Sequence, residues 1–131
     1  MRSDIASRVA EDSMPEQPSA TEYVRTKQAA FHAPVVEEVA TAIRSHDVVV
    51  VGMSLNPHVR RARKALDDAG VAHHYIEYGG YLNMWKQRLA IKLWSGWPTF
   101  PQVFVKGSLI GGANETSHML ESGELQALRD G

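Results

Sequence analysis

The side chains that most often carry chemistry are sparse in this chain, and the thiol group is missing altogether. The 131 residues include no cysteine, so the chain's own side chains cannot form a disulfide, ligate an iron–sulfur cluster or exchange thiols. Ser54 has no Asp–His pair at a recognisable spacing to activate it, so we expect a structural or exposed serine. The sequence therefore excludes intrinsic thiol chemistry, whatever the fold.

Three histidines suggest a metal site at first sight. His73 and His74 are neighbours on a predicted strand, so their side chains point to opposite faces. At most one of them could join His58 as a ligand, which is too few for a zinc site. We therefore expect ordinary histidines and assign no metal-binding residue.

The stretch SLNPHVRRARKAL, residues 54–66, is typical of a helix start that follows a buried strand. The Asn56 side chain can accept hydrogen bonds from first-turn amides, and Pro57 loses nothing there by lacking its N–H group. A carboxamide has no acidic proton to lose and is no nucleophile at neutral pH. We expect this helix start to stabilise itself, by about 1 kcal/mol, instead of activating a reactive group.

Two further clusters have both a functional and a structural interpretation. The helix that follows Asn56 carries four basic residues: Arg60, Arg61, Arg63 and Lys64. They form either a solvated face or a docking site. Three aromatic residues, Trp85, Trp94 and Trp97, could stack on bases, but core packing or groove walls are favoured. Because the formal net charge is −1, we expect no nucleic-acid partner.

Composition places the chain among small globular proteins. A chain of 131 residues with 44% hydrophobic content can close one core and is too short for two full-sized domains. No apolar run reaches the roughly 18 residues of a membrane span. The N-terminus lacks the apolar centre of a secretory signal. We therefore expect a soluble, cytoplasmic protein with no membrane partner.

Residues 1–33 are interpreted as an N-terminal tail, mobile or with a short helix near residues 20–31. Residues 1–18 are polar and show no sustained period, which favours mobility. Ser19 and Glu22 have the spacing of a capping box, which would start the short helix. A single domain is then expected over residues 34–131.

The apolar periodicity of residues 34–131 predicts the order α-β-α-β-α-β-β-α. In chain order the elements are a helix beyond Pro34, a strand at 48–51, a helix from Pro57 to about Ala69, a strand at 71–78, a helix at 81–94, a hairpin turning at Lys106-Gly107, and a last helix capped by Asn114. A parallel pair joined by a helix, followed by a hairpin, predicts one four-stranded mixed sheet with helices on both faces. The fold class is therefore α/β.

This order of elements, with the segments VVVVGMSLNPHVRRARKAL and WPTFPQVFVKGSLIGG at their observed separation, resembles the glutaredoxin family of the thioredoxin fold. The resemblance covers about residues 34–130. The segment from Trp97 to Gln102 and the Gly111-Gly112 pair look like the monothiol branch. The resemblance implies a thioredoxin-like fold in which Pro101 follows a cis peptide bond and the main chain of Phe100 faces glutathione.

The same resemblance places the family's Cys-x-x-Cys or Cys-Gly-Phe-Ser motif on residues 56–59. Asn56 then takes the position of the nucleophilic cysteine, and Val59 takes the resolving position. Met53 replaces the lysine of the dithiol branch, and the extra loop residues of the monothiol branch are missing. The resemblance therefore implies a glutaredoxin fold with no catalytic residue, a pseudoenzyme.

The resemblance also implies a ligand-binding groove. Its residues are Arg88, Lys92, Thr99, Phe100, Pro101, Gly111, Gly112, Asn114 and Glu115. Arg88 and Lys92 would face the glycine carboxylate of glutathione, unless both are ordinary solvated helix residues. Asn114 and Glu115 stand where the family usually holds the γ-glutamyl amine with an acid, and the amides of the last helix could receive the γ-glutamyl carboxylate.

Three functions remain open at this point. The leading hypothesis is a glutaredoxin-like adaptor without thiol–disulfide oxidoreductase activity, which binds glutathione or a peptide at the cis-proline groove, needs no cofactor and takes part in cell redox homeostasis. The first alternative is a glutathione-linked redox or iron–sulfur role in which glutathione or a partner supplies the sulfur. The second is a structural interaction domain whose groove is vestigial.

Overall fold

The computed structural model describes residues 15–16 and 18–131. The chain divides into two units between Phe31 and His32, and each unit is described by itself. The described part of the first unit contains helix α1 (Glu22–Ala30). Its cap is Thr21, whose Oγ1 accepts from the amide of Val24 at 3.3 Å, and not the predicted Ser19. Residues 1–14 and 17 of the predicted tail lie outside the described residues.

The second unit is built around one four-stranded sheet. Its elements are α2 (Ala33–Ser45), β1 (Val48–Gly52), α3 (Pro57–Asp68), β2 (His74–Glu77), α4 (Trp85–Ser95), β3 (Gln102–Val105), β4 (Ser108–Gly111), α5 (Ala113–Ser122) and α6 (Glu124–Asp130). The strand order is β2-β1-β3-β4, with β1 and β2 parallel and the other two pairs antiparallel. The predicted mixed sheet and α/β fold class are confirmed.

Helices cover both faces of the sheet, as the run of four valines predicts. Alternate side chains of a strand point to opposite faces. Val49 and Val51 therefore share one core cluster with Ile91 of α4. Val48 and Val50 belong to the other cluster, with side chains of α3, α5 and α6. Because all four valines are fully buried, β1 is the central anchor of the fold.

The hairpin between β3 and β4 also follows the sequence prediction. Lys106 and Gly107 both have positive φ angles, 51° and 82°, as the turn of a two-residue hairpin requires. Phe104 is opposite Leu109 in the resulting ladder. This hairpin places the start of β3 and the end of β4 side by side.

Two predicted boundaries are wrong because local turns intervene. Strand β2 begins at His74 instead of residue 71, since the amide of Val71 donates to Leu66 O at 2.9 Å and closes the end of α3. Helix α4 begins at Trp85 instead of residue 81, since the amide of Gly80 donates to Asn83 Oδ1 at 2.8 Å and forms a turn there.

The last predicted helix is two helices. Gly123 has a φ of 83°, a left-handed conformation that ends α5 and separates it from α6. The cap position of α5 is Gly112, so the prediction that Asn114 caps this helix is wrong. No helix within the described residues has the length and apolar character needed to cross a bilayer.

Candidate functional site

Three segments meet at one end of the sheet. Strand β1 ends there, and the segment after it leads to Asn56. Gln102, the first residue of β3, pairs with Val51, so Pro101 lies beside the end of β1. The start of α5 is also near, because a Cβ atom built on Gly112 would lie 3.4 Å from Pro101 O. The proline loop therefore lies beside both the glycine pair and the end of β1, from which the chain runs on to Asn56.

Asn56 caps α3, as its sequence context predicts. Its Oδ1 accepts from the amides of His58, at 2.9 Å, and Val59, at 3.1 Å, and Pro57 is the first helical residue. These amides would otherwise be unpaired donors at the positive end of the helix dipole. The Asn56 side chain therefore occupies first-turn donors that could otherwise have stabilised an anion.

Two features beside Asn56 escape sequence reasoning. Leu55 has a φ of 59° and is 79% exposed, although leucine rarely adopts the left-handed region. Gly52 ends β1 where a Cβ atom would lie 2.7 Å from Val59 Cγ1. The glycine lets α3 pack closely against the strand. A glycine after four valines was a possible signal for the second feature, whereas nothing in the sequence marks the first.

The loop before β3 has the conformation that the resemblance implied. The Phe100–Pro101 peptide bond is cis. Phe100 is buried in the core, Thr99 is exposed, and Gln102 Nε2 donates to Trp97 O at 2.9 Å across the loop. The Nζ atom of Lys92 lies 5.5 Å from the centre of the Phe100 ring, close enough for a cation–π contact. An ammonium group is thus held over the residue that precedes the proline.

The glycine pair shapes the start of α5. Gly111 has a φ of 117°, and a Cβ atom there would lie 2.7 Å from Glu115 Cγ. Glu115 Oε1 accepts from the amide of Gly112 at 2.8 Å, so this carboxylate is engaged within the helix start. Asn114 Oδ1 accepts from Arg61 Nη1 at 2.8 Å, which links α5 to α3. The amides of Ala113 and Asn114 lie in the first turn, where no intrahelical acceptor exists.

Arg88 is buried, and the alternative of a solvated helix residue is wrong for it. Its Nη1 donates to Tyr78 O at 2.9 Å and to Asn83 O at 2.7 Å. These bonds tie the loop between β2 and α4 to the helix. Carboxylate binding by Arg88 stays a prediction.

The hydroxyl of Tyr78, in the same loop, is also engaged. Burial, reinforced by a hydrogen bond to Glu38, raises the pKa of the Tyr78 hydroxyl well above its ordinary value.

The other candidate residues have partners within the chain. Ser54 Oγ donates to Gly79 O at 3.1 Å, which is a structural role. The ring of His74 stacks on that of His46 at 4.1 Å, and His73 Nδ1 lies 3.7 Å from Asp67 Oδ1. Within the described residues, no group of three or more His, Cys, Asp or Glu side chains is arranged to hold a metal ion.

The basic cluster on α3 borders a cleft of about 460 Å³ between this helix and β2. The cleft opens beside Asn56, and its walls include Arg60, Arg63 and Tyr75. The guanidinium carbon of Arg63 lies 3.8 Å from the centre of the Tyr75 ring. Burial, with a hydrogen bond to Glu77, raises the pKa of Tyr75, while Arg63 opposes the shift. The cleft walls therefore carry both signs of charge.

The tryptophans do not form one stacking surface. Trp97 walls the candidate groove, since a Cβ atom on Gly112 would lie 3.7 Å from its Nε1. The Trp94 ring lies 6.4 Å from that of Phe104, and Trp85 is exposed on α4. Trp97 is therefore a groove wall and Trp94 contacts the core, which agrees with the favoured interpretation for two of the three.

Comparison with known proteins extends these observations. A family model described as Glutaredoxin matches residues 48–110. The chain is 50% identical to a glutaredoxin-like protein of Dictyostelium discoideum over 95 residues, which are 72% of this chain and 77% of the relative. It is 32% identical to monothiol glutaredoxin-4 of Schizosaccharomyces pombe over 97 residues, 70% of this chain but only 38% of that longer protein.

Among solved structures, the fold is similar to that of a buckwheat glutaredoxin in complex with glutathione. The TM-score is 0.68 at 22% sequence identity, and the match covers 85% of this chain and 94% of the buckwheat chain. This likeness agrees with the topology described above: a mixed sheet of four strands with helices on both faces.

Proposed function

Because the chain belongs to the glutaredoxin family and contains no cysteine, we propose that it is a binding module that has lost the family's thiol–disulfide chemistry. Its ligand is glutathione, or a peptide that presents a similar main chain, bound along the proline loop. The observation that carries the proposal is that the Asn56 side chain caps α3. The resemblance to the family aligns this residue with the nucleophile.

The loss of redox chemistry follows from the atoms at this helix start. Disulfide exchange needs a thiolate, and thiolates at helix starts are stabilised by first-turn amides and the helix dipole. Here the carboxamide oxygen of Asn56 takes the amides of His58 and Val59. The chain contains no cysteine at any other position, so no other thiol could act instead. Electron transfer through the protein alone is therefore excluded on this proposal.

Ligand binding is supported by what the rest of the groove keeps. Lys92 supplies a positive charge beside Phe100 for the glycine carboxylate. The first-turn amides of Ala113 and Asn114 are suited to the γ-glutamyl carboxylate, as helix N-termini generally are to anions. Arg88 uses Nη1 for loop carbonyls in the bonds given above, which leaves its other N–H groups for a carboxylate. On this proposal the ligand's main chain runs along Thr99, Pro101 and Gly112.

The direct test is a titration of the isotope-labelled chain with reduced glutathione, followed by backbone amide NMR. We expect shifts at Phe100, Gly112 and Asn114. The variant Lys92→Gln should weaken binding by roughly tenfold, since it removes one charge-assisted contact worth about 1.4 kcal/mol. Lys64→Gln, on the other face of the sheet, is the matched control and should bind normally. No shift in the groove at any concentration would leave only the structural interpretation.

A second ligand separates the binding module from the redox alternative. In a sulfur-free analogue, 2-aminobutyrate replaces the cysteine of glutathione. If the groove recognises the main chain of the ligand and not its thiol, the analogue should bind with an affinity within about twofold of that of glutathione. A glutathione-dependent disulfide reduction assay should read at the level of the buffer. Clear turnover by the pure protein, or binding that requires the sulfur, would favour the alternative in which glutathione supplies the chemistry.

A further inference from the structure

The apolar pattern of α4 faces away from the core. Seven of the ten exposed large apolar side chains among the described residues lie between Tyr81 and Trp94. Leu82 is 99% exposed and Leu93 is 69% exposed. Isolated exposed apolar residues are ordinary, but a contiguous patch of this kind usually marks an interaction site. None of these apolar side chains belongs to the groove of the proposed function, although Lys92 beside them does.

Within the helix, this patch reduces to a narrow stripe, which we call the α4 stripe: Trp85, Leu89 and Leu93. Their spacing of four residues places them within about 80° of the helix circumference. The opposite side of α4 is the buried one and carries Arg88, Ala90 and Ile91. The core therefore holds α4 through these three side chains and leaves the three large apolar side chains of the stripe exposed.

Positive charge borders the α4 stripe on both sides. On a helix, Lys86 and Lys92 are the neighbours that flank this row, and Lys86 Nζ lies 5.6 Å from the centre of the Trp85 ring. The sequence has no Asp or Glu from Gly79 to Asn114, so all fifteen acidic residues lie elsewhere. Helix α4 itself therefore carries only positive charge, in a chain whose net charge is −1.

This combination decides between possible occupants. A second copy docked through the same stripe would bring lysine against lysine, which disfavours a symmetric dimer. A lipid surface is matched by a broad apolar face, and this stripe has only three side chains. A single amphipathic helix fits the width of the stripe, and acidic flanks on that helix would meet both lysines. We propose that the α4 stripe docks an acidic amphipathic helix of a partner protein.

The test uses three synthetic helical peptides of about 20 residues, a length that favours helix formation. The first has leucines along one face and glutamates on both flanks; the second carries lysines in place of the glutamates; the third carries serines in place of the leucines. Amide NMR of the labelled chain should show binding of the first peptide, with shifts in residues 82–94. The other two should bind at least about tenfold more weakly, because each lacks one complementary feature.

Variants of the chain sharpen the result. Leu93→Ser should weaken binding of the acidic peptide by at least about tenfold, while thermal unfolding stays close to that of the parent because this side chain is 69% exposed. Lys86→Glu should shift preference toward the lysine peptide, whereas Arg60→Glu, the same charge change on α3, should not. Glutathione binding should be unaffected by Lys86→Glu, which separates this proposal from the proposed function.

Three outcomes would overturn the proposal. The first is equal binding of the acidic and basic peptides, since charge would then play no part. The second is the absence of shifts in α4 with every peptide. The third is binding of phosphatidylserine vesicles through Trp85 and Leu93 without binding of the acidic peptide, which would assign the stripe to a lipid surface.

Discussion

Two helices begin at the candidate site, and their first turns are capped in opposite ways. At α3 the cap is the side chain of Asn56, which takes the amides of His58 and Val59. At α5 the cap position is Gly112, which has no side chain, and Glu115 reaches back from within the helix to the Gly112 amide. The first turn of α3 is therefore capped by the Asn56 side chain. Helix α5 keeps the donors of its first turn.

This difference separates two uses of the same physical device. Unpaired amides and the helix dipole either stabilise the protein, when a side chain accepts from them, or bind an anion, when none does. On our proposal the first-turn amides of α3 stabilise the helix by binding Asn56, whereas those of α5 bind a carboxylate of the ligand. On this proposal the groove has therefore lost thiol–disulfide exchange but still binds glutathione or a peptide.

The largest expected effect comes from reopening the α3 start with Asn56→Cys. The His58 and Val59 amides would then be free to stabilise a thiolate, so the pKa of the introduced thiol should lie below about 7.5. The ultraviolet absorbance of the thiolate against pH measures this value. Lys64→Cys, on the exposed middle of the same helix, is the matched control and should titrate near the ordinary value of about 8.5. Identical titrations of the two thiols would show that residue 56 does not stand in the nucleophile's place.

An intermediate effect is expected at the α5 start from Gly111→Ala. This change combines a left-handed backbone with a Cβ atom too close to Glu115, so it should lower the free energy of unfolding by about 3 kcal/mol. Gly123→Ala has a similar positive φ but nothing within 4 Å of the new Cβ atom, so about 1 kcal/mol is expected. Urea denaturation measures both. Equal losses would mean that the contact with Glu115 does not constrain the glycine.

The smallest effect is expected from removing the α3 cap. Asn56→Ala should lower the free energy of unfolding by about 1 kcal/mol, because two first-turn amides lose their acceptor. Asn56→Asp keeps an acceptor and should remain within about 0.5 kcal/mol of the parent. Neither variant should change the glutathione-induced shift at Asn114. If Asn56→Ala abolished that shift, the two helix starts would not act separately.

The predictable parts of the fold depend on residues that are close in sequence. The cap of α3 needs only Asn56 and the residues that follow it, and the β3–β4 turn needs only Lys106-Gly107. Both predictions are confirmed. Where local signals competed, boundaries were wrong: the turn closed by Asn83 delays α4, and Gly123 divides the last helix.

The resemblance predicted that two segments of the candidate site are neighbours, but it did not predict the contacts of Arg88. The Pro101 loop and the Gly111-Gly112 pair lie together, as the resemblance implied. Arg88 turned inward to Tyr78 and Asn83 instead of facing solvent. Its bond partners lie in a loop whose path depends on the sheet, so no local pattern indicates them.

The sequence alone determined that this chain contains no thiol side chain and that residue 56 caps a helix, since both depend on which atoms are present and on neighbouring residues. Only the tertiary structure decided which side of α4 is buried. The spacing of four residues puts Trp85, Leu89 and Leu93 on one face, yet the side that packs in the core is the one with Ile91. The helical period shows which residues share a face. It does not show which face is buried, because that depends on contacts with residues far away in the sequence.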